Sequence, residues 1–208
     1  MKICIVNQNK YSTEQVLTFT LDTNCLIAVD ELRPEKCAID QIIAAHNENR
    51  AEVGIVAISA SERQKGGGIL ENFCLFQDRI KHLGMDGLKL LEPMFYWDIS
   101  FLDFSLWVDE EMLDLEKKIH EILFPRVEFD WIDYAKARDL DPNSLITEKR
   151  WRNAKCDVQA FWSHAFRKRT VFVSSDKNFH ASTKKPLLLA LAGGRIEYPE
   201  NAAELLKV

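Results

Sequence analysis

The sequence predicts an α/β protein built around a mainly parallel sheet, and three observations point there. Short, nearly continuous apolar runs alternate with stretches in which apolar residues recur every three or four positions. The runs at 16–21, 52–59 and 170–175 have the length and composition of strands buried on both faces. Each breaks into polar residues, at Asp22, at Ser59 with Glu62, and at Asp176, where a parallel sheet presents its ligand-binding groups.

Taken in order, residues 2–6 and 16–21 read as strands joined by a polar link, the second running into Asp22. Pro34 suits the first turn of a helix over 34–49, in which Ala38, Ile42 and Ala45 share a side. The strand at 52–59 ends in "SASE", and "KGGG" then reads as a flexible connection, since no Gly-Lys-Ser/Thr follows to make a phosphate-binding loop. Ile69, Phe73, Phe76, Ile80 and Leu83 mark an amphipathic helix that Gly84 ends. Residues 95–107 are rich in aromatics, and Val108, Met112, Leu115, Ile119 and Ile122 form the stripe of the next helix. A helix over 156–166, a strand over 170–175, a Lys-rich loop and a closing strand and helix in "GRIEYPENAAELLKV" complete the pattern.

The chain has 208 residues, a hydrophobic fraction of 47% and a charged fraction of 28%, enough for one sizeable domain without low-complexity tracts. Five cysteines with no C-x-x-C pair suggest neither a disulfide framework nor a zinc site. The N-terminal stretch turns polar at Asn7, too soon for a secretory signal, and no segment reaches the length of a membrane span, so the expectation is a cytoplasmic protein. A net charge of -5 argues against nucleic-acid binding by bulk attraction alone. It leaves room for a nuclease, whose metal offsets clustered carboxylates.

Asp22, Glu62 and Asp176 mark three strand ends, and Asp157 is expected at the start of the helix before the last of them. Carboxylates gathered in such a crevice repel one another and favour a hard cation, Mg²⁺ or Mn²⁺, which suits phosphoryl chemistry. These residues resemble the PIN-domain ribonucleases, which include the VapC toxins of toxin-antitoxin pairs. "LDTNCLI" at 21–27 is similar to the family's first motif, "VAISASE" at 56–62 to its second, "KCDVQAF" at 155–161 to its third and "VFVSSDKNF" at 171–179 to its fourth. The closing "GGRIEYPENAAELL" also resembles the family's last strand, proline turn and helix.

The resemblance implies a PIN-like three-layer sandwich with a mainly parallel central sheet. It implies Asp22, Glu62, Asp157 and Asp176 as catalytic metal ligands, with Asn24, Thr23, Ser59 and Ser174 supporting them. It further implies RNA as substrate and a protein antitoxin as partner, while the apolar content of residues 95–123, more than one exposed loop carries, is expected to cover the sheet or to make a partner or homodimer contact. Two features depart from the family. The 95 positions from Glu62 to Asp157 are far more than in compact members, so the single domain is expected to carry a helical insertion at about 84–150. Asn178 also stands where many members have a further acid.

Plainer readings stand beside these. Asp22 caps a helix equally well, Ser59 with Glu62 fits a capping box, and Asp157 and Asp176 suit a helix's first turn and an ordinary turn. "EKRWRNAKCD" places Arg150, Trp151, Arg152 and Lys155 ahead of Asp157, either to bind phosphates and stack a base or with Trp151 packed in the core. The leading reading is a Mg²⁺- or Mn²⁺-dependent endoribonuclease. A DNA nuclease of the same type, a non-cutting PIN fold that uses the insertion to hold a partner, and a phosphotransferase with Asp22 as nucleophile are the alternatives.

Overall fold

The run Leu17–Leu21 forms β1, the middle strand of a five-stranded sheet that is parallel throughout. The computed structural model describes residues 16–61, 73–143 and 148–207, so the strand expected over 2–6, the "KGGG" connection and Glu62 lie outside the described residues. β2 (Ala51–Val56) and β3 (Lys89–Leu91) lie on one side of β1, β4 (Val171–Val173) and β5 (Arg195–Glu197) on the other, giving the order β3-β2-β1-β4-β5. The chain thus builds outward from β1 in one direction and then returns to its other side. This reversal makes the crevice between β1 and β4 the switch point, where open α/β sheets bind ligands.

In chain order the helices are α1 (Thr23–Asp30), α2 (Lys36–Asn47), α3 (Phe73–His82), α4 (Glu110–Leu123), α5 (Trp131–Lys136), α6 (Lys149–Phe166), α7 (Lys177–His180), α8 (Lys185–Ala192) and α9 (Pro199–Glu204). They divide between the two faces of the sheet because the strands alternate. Phe19, Leu21, Val53, Ile55, Val171 and Val173 join the core beneath α1, α2, α3 and α9. Val56, Phe172 and Ile196 face the opposite core, with α4, α6 and α8. Thr20 points to that second face too, where its hydroxyl meets His164 Nδ1 of α6 at 2.9 Å. Burial keeps the ring neutral, pushing the His164 pKa down to about 3.

Several expected boundaries shift. Pro34 lies outside its helix, which starts at Lys36. The helix expected from Cys156 starts at Lys149, where the Glu148 carboxylate accepts the Trp151 amide as its cap. Asp157 therefore stands in the middle of α6 and not in a first turn. Within the stretch at about 84–150, Lys89–Leu91 pairs with β2 as the edge strand of the sheet. The Lys-rich loop is mostly helical, comprising α7 and the apolar α8. Gly84 does end α3, at φ +70, and its amide and that of Met85 close back on Lys81 and Ile80 carbonyls.

Gly194, at φ +68, lies between α8 and β5, where a Cβ would come within 2.3 Å of the Thr170 carbonyl oxygen. That oxygen accepts the Arg195 amide at 2.8 Å, which starts the β4–β5 pairing. Gly194→Ala should therefore lower the unfolding free energy by about 2 kcal/mol or more, from the left-handed backbone and the displaced strand together. Urea denaturation of the two proteins measures it.

Candidate active site at the carboxyl ends of the central strands

β1 delivers Asp22 to the switch point, and the chain turns at once into α1. The Asp22 side chain caps that helix, accepting the Thr23 amide at 2.8 Å. Its backbone amide donates to Val173 of β4 at 3.0 Å, which fixes the end of β1 against its neighbour. The next residue of β4's chain, Ser174, donates its hydroxyl to Asp22 Oδ2 at 2.7 Å. Asn24 Nδ2 reaches the same oxygen at 3.2 Å. The capping role read from the sequence is therefore present, in a residue that stands at the switch point.

Ser174 also organises the second acid. Its oxygen accepts the Asp176 amide at 3.0 Å, and the Asp176 carboxylate caps α7 by accepting the Asn178 amide at 2.8 Å. One hydroxyl therefore joins two aspartates that are far apart in sequence. Asp22 is buried, and burial raises its pKa; the bonds from Ser174, Thr23 and Asn24 counter that rise, while the nearby Asp176 charge adds to it. A buried carboxylate beside a second negative charge is stabilised in its ionised form by a cation.

Ser59 and Thr23, also expected to support the acids, join by hydroxyls at 2.7 Å, linking the 3-10 turn after β2 (Ala57–Ser61) to the start of α1. Asp157 is half-buried on α6, the helix that packs against this turn. Because α6 leads into the amino end of β4, its upstream turns climb toward the carboxyl ends of the strands. Asp157 lies roughly two turns above His164 in that direction. Among the described residues, no three Asp, Glu, His or Cys side chains gather closely enough to hold a metal by themselves. Asp22 and Asp176 are the carboxylates here that could hold a Mg²⁺, an ion that binds through one or two carboxylates and keeps several waters.

Lys184 escaped the sequence reading. Its ammonium donates to the Leu123 carbonyl at 2.6 Å and to Asn178 Oδ1, and the Asp176 charge acts on it while burial lowers its pKa. Asn178, the residue that departs from the family pattern, thus holds a cation in place of contributing a charge. The only sequence signal was the run of lysines after Asp176. His180 is likewise tied to the site's backbone, one ring nitrogen lying 2.8 Å from the Ser174 carbonyl and the ring stacking on Tyr198.

The basic stretch before Asp157 does not form the expected nucleic-acid surface. Trp151 is 1% exposed and donates its indole N–H to the Glu128 carbonyl at 3.0 Å, so neither ring face is open to a base. Arg152 is buried and donates to the Asp98 carbonyl at 2.6 Å. Lys155 is buried with Glu116, at 2.9 Å, and donates to Tyr96 Oη at 3.0 Å inside a box of Tyr96, Phe129 and Trp151 rings. Of the four, Arg150 alone is exposed. Charge and aromatic content suggested a surface, but the helix turns Trp151, Arg152 and Lys155 inward, where each polar group finds a partner in the fold.

The chain matches no protein-family model and no curated protein.

Two outcomes follow from this geometry. Trp151→Ala should cost about 3–5 kcal/mol of stability, from a cavity and an orphaned Glu128 carbonyl, read by urea denaturation. A stability loss of under about 1 kcal/mol would mean the indole is not part of the core. Asp22, with its pKa raised by folding, binds its proton more tightly in the folded state. Metal-free stability should therefore fall as pH rises from the unfolded value of 3.8 through the folded one. Asp22→Asn, which keeps an oxygen for the Thr23 cap and removes the titrating group, should flatten that fall in unfolding curves taken at pH 4 and pH 7.

Proposed function

We propose that this protein is a divalent-metal-dependent endoribonuclease of the PIN type. The observation that carries the reading is Ser174, whose hydroxyl ties Asp22 to the turn that presents Asp176 at the sheet's switch point. Two of the four acids expected from the motifs are thereby brought to one place by strands distant in sequence, as a shared role for them requires.

Asp22 and Asp176 would hold Mg²⁺ or Mn²⁺, with Asp157 and Glu62 as the further acids of the set. The bound ion would supply Lewis acidity toward a phosphodiester and toward the water that attacks it. The chain's own groups position and balance charge. Three hydrogen bonds leave the Asp22 carboxylate little rotational freedom, so its orientation is set before any ligand arrives. Lys184 spends two ammonium protons on Leu123 and Asn178, and its third is a donor for a phosphate oxygen next to Asp176. Neither role calls for a protein nucleophile.

Cleavage of a mixed panel of single-stranded RNA, structured RNA and DNA tests the reading. Purified protein should cut RNA internally in Mg²⁺ or Mn²⁺ and stop on chelation. Asp22→Asn and Asp176→Asn should each lower the rate on the order of 10²-fold or more while the protein stays folded, since each removes a charge from the cation's surroundings. Wild-type rates in both variants would refute the assignment, and preferential cutting of DNA would move the substrate to the other nucleic acid.

A further inference from the structure

Beside the first turns of α6, residues 95–97 and the start of α5 line an open cleft of about 490 Å³. Phe95, Tyr96, Trp97 and Trp131 form its aromatic lining, and Asp130 and Asp133 place two carboxylates in the same lining. We propose that this cleft binds the cationic side chain of an arginine or lysine on a partner polypeptide.

The walls are fixed in advance. Trp131 donates its indole N–H to the Pro142 carbonyl at 3.1 Å, stacks on Tyr134 and meets Trp151 edge-on. The Tyr96 amide donates to Ser100 Oγ at 2.6 Å, and Tyr96 Oη accepts the Lys155 ammonium. Asp98, the residue after Trp97, adopts φ +61 and is held there by the Arg152 guanidinium on its carbonyl. The buried basic residues thus brace the cleft from behind, so little ordering is left for a ligand to impose.

The chemistry of the lining selects the occupant. Neither Asp130 nor Asp133 carries an ion pair among the described residues, and Asp130 caps α5 without a side-chain hydrogen bond. Lys155 already lies over the Tyr96 ring and feels the Asp130 charge, but its ammonium is paired with Glu116. The Trp97 and Trp131 faces beside Asp130 and Asp133 therefore still attract an organic cation and repel the phosphates of a nucleic acid. The surroundings favour a polypeptide as its carrier. Ile132 in the same lining is 53% exposed, Trp97 is 74% exposed, and Phe95 links Trp97 to Trp107, 76% exposed, by ring contacts at 6.0 and 5.5 Å. Contiguous exposed apolar side chains mark interaction sites, and tryptophan and arginine are the residues that carry most of the energy at protein interfaces.

The test is a titration of the whole protein followed through its tryptophan indole N–H signals by NMR. N-acetyl-arginine amide should move the Trp97 and Trp131 signals saturably, and the uncharged isostere N-acetyl-citrulline amide should not. A peptide carrying arginine between two leucines should bind at least tenfold more tightly than the single amino acid. Replacing Asp130 and Asp133 together by Asn should weaken both at least tenfold with the spectrum otherwise unchanged. Equal response to citrulline, indifference to the double replacement, no gain from the peptide, or stronger perturbation of the same indoles by oligouridylate would each overturn the proposal.

Discussion

The contact on which the candidate site depends is the hydrogen bond from Ser174 to Asp22. It lies where β1 and β4 end side by side, and it gives a buried carboxylate a partner that the sheet itself supplies. Without it, Asp22 would be a desolvated charge at a helix start, resisted by burial and by Asp176. With it, the strand register, the cap of α1 and the presentation of Asp176 become one geometric arrangement. A slip in the β1–β4 pairing would break all three, because side chains one residue along a strand face opposite sides.

The opposite layer is organised by a different buried charge. Glu116 of α4 accepts from Lys155 and Gln159 of α6, while the Gln159 amide oxygen accepts the Met94 backbone N–H. An ion pair of this kind adds little net stability, since both charges leave water, yet removing either partner would leave the other stranded. Its effect is to specify how α4 and the 94–97 segment seat on α6. The same residues that hold the acids' neighbouring helix therefore also shape the aromatic cleft.

What could be read from the sequence divides along physical lines. The buried strands β1, β2 and β4 were legible because continuous apolar runs have few other uses, and α4 was legible from its apolar stripe. β3 was not, being three residues whose pairing depends on a partner strand and not on local composition. Asp22, Ser174 and Asp176 were singled out by motifs, and the hydroxyl's bridging contact emerged only from the fold. The basic stretch was misread because Lys155 and Arg152 have the composition of a surface, and the buried Glu116 that changes its meaning lies 39 positions away. Lys184 was overlooked because a lysine's relevance depends on what its flexible stem can reach.

The pairing of β1 with β4 carries a kinetic consequence. Thr18 and Thr170 exchange backbone and hydroxyl hydrogen bonds across 152 positions, so closing this contact costs roughly 4 kcal/mol of chain entropy before any packing repays it. Contacts of such range form late and slow the search for the native state. During synthesis, β1, β2 and their helices emerge first and can associate, while Asp22 waits, still hydrated, for the strand that brings Ser174. The two acids meet only when most of the chain has been made. Completion of this crevice is then tied to completion of the fold, and a partly made chain carries both aspartates without the bond that joins them.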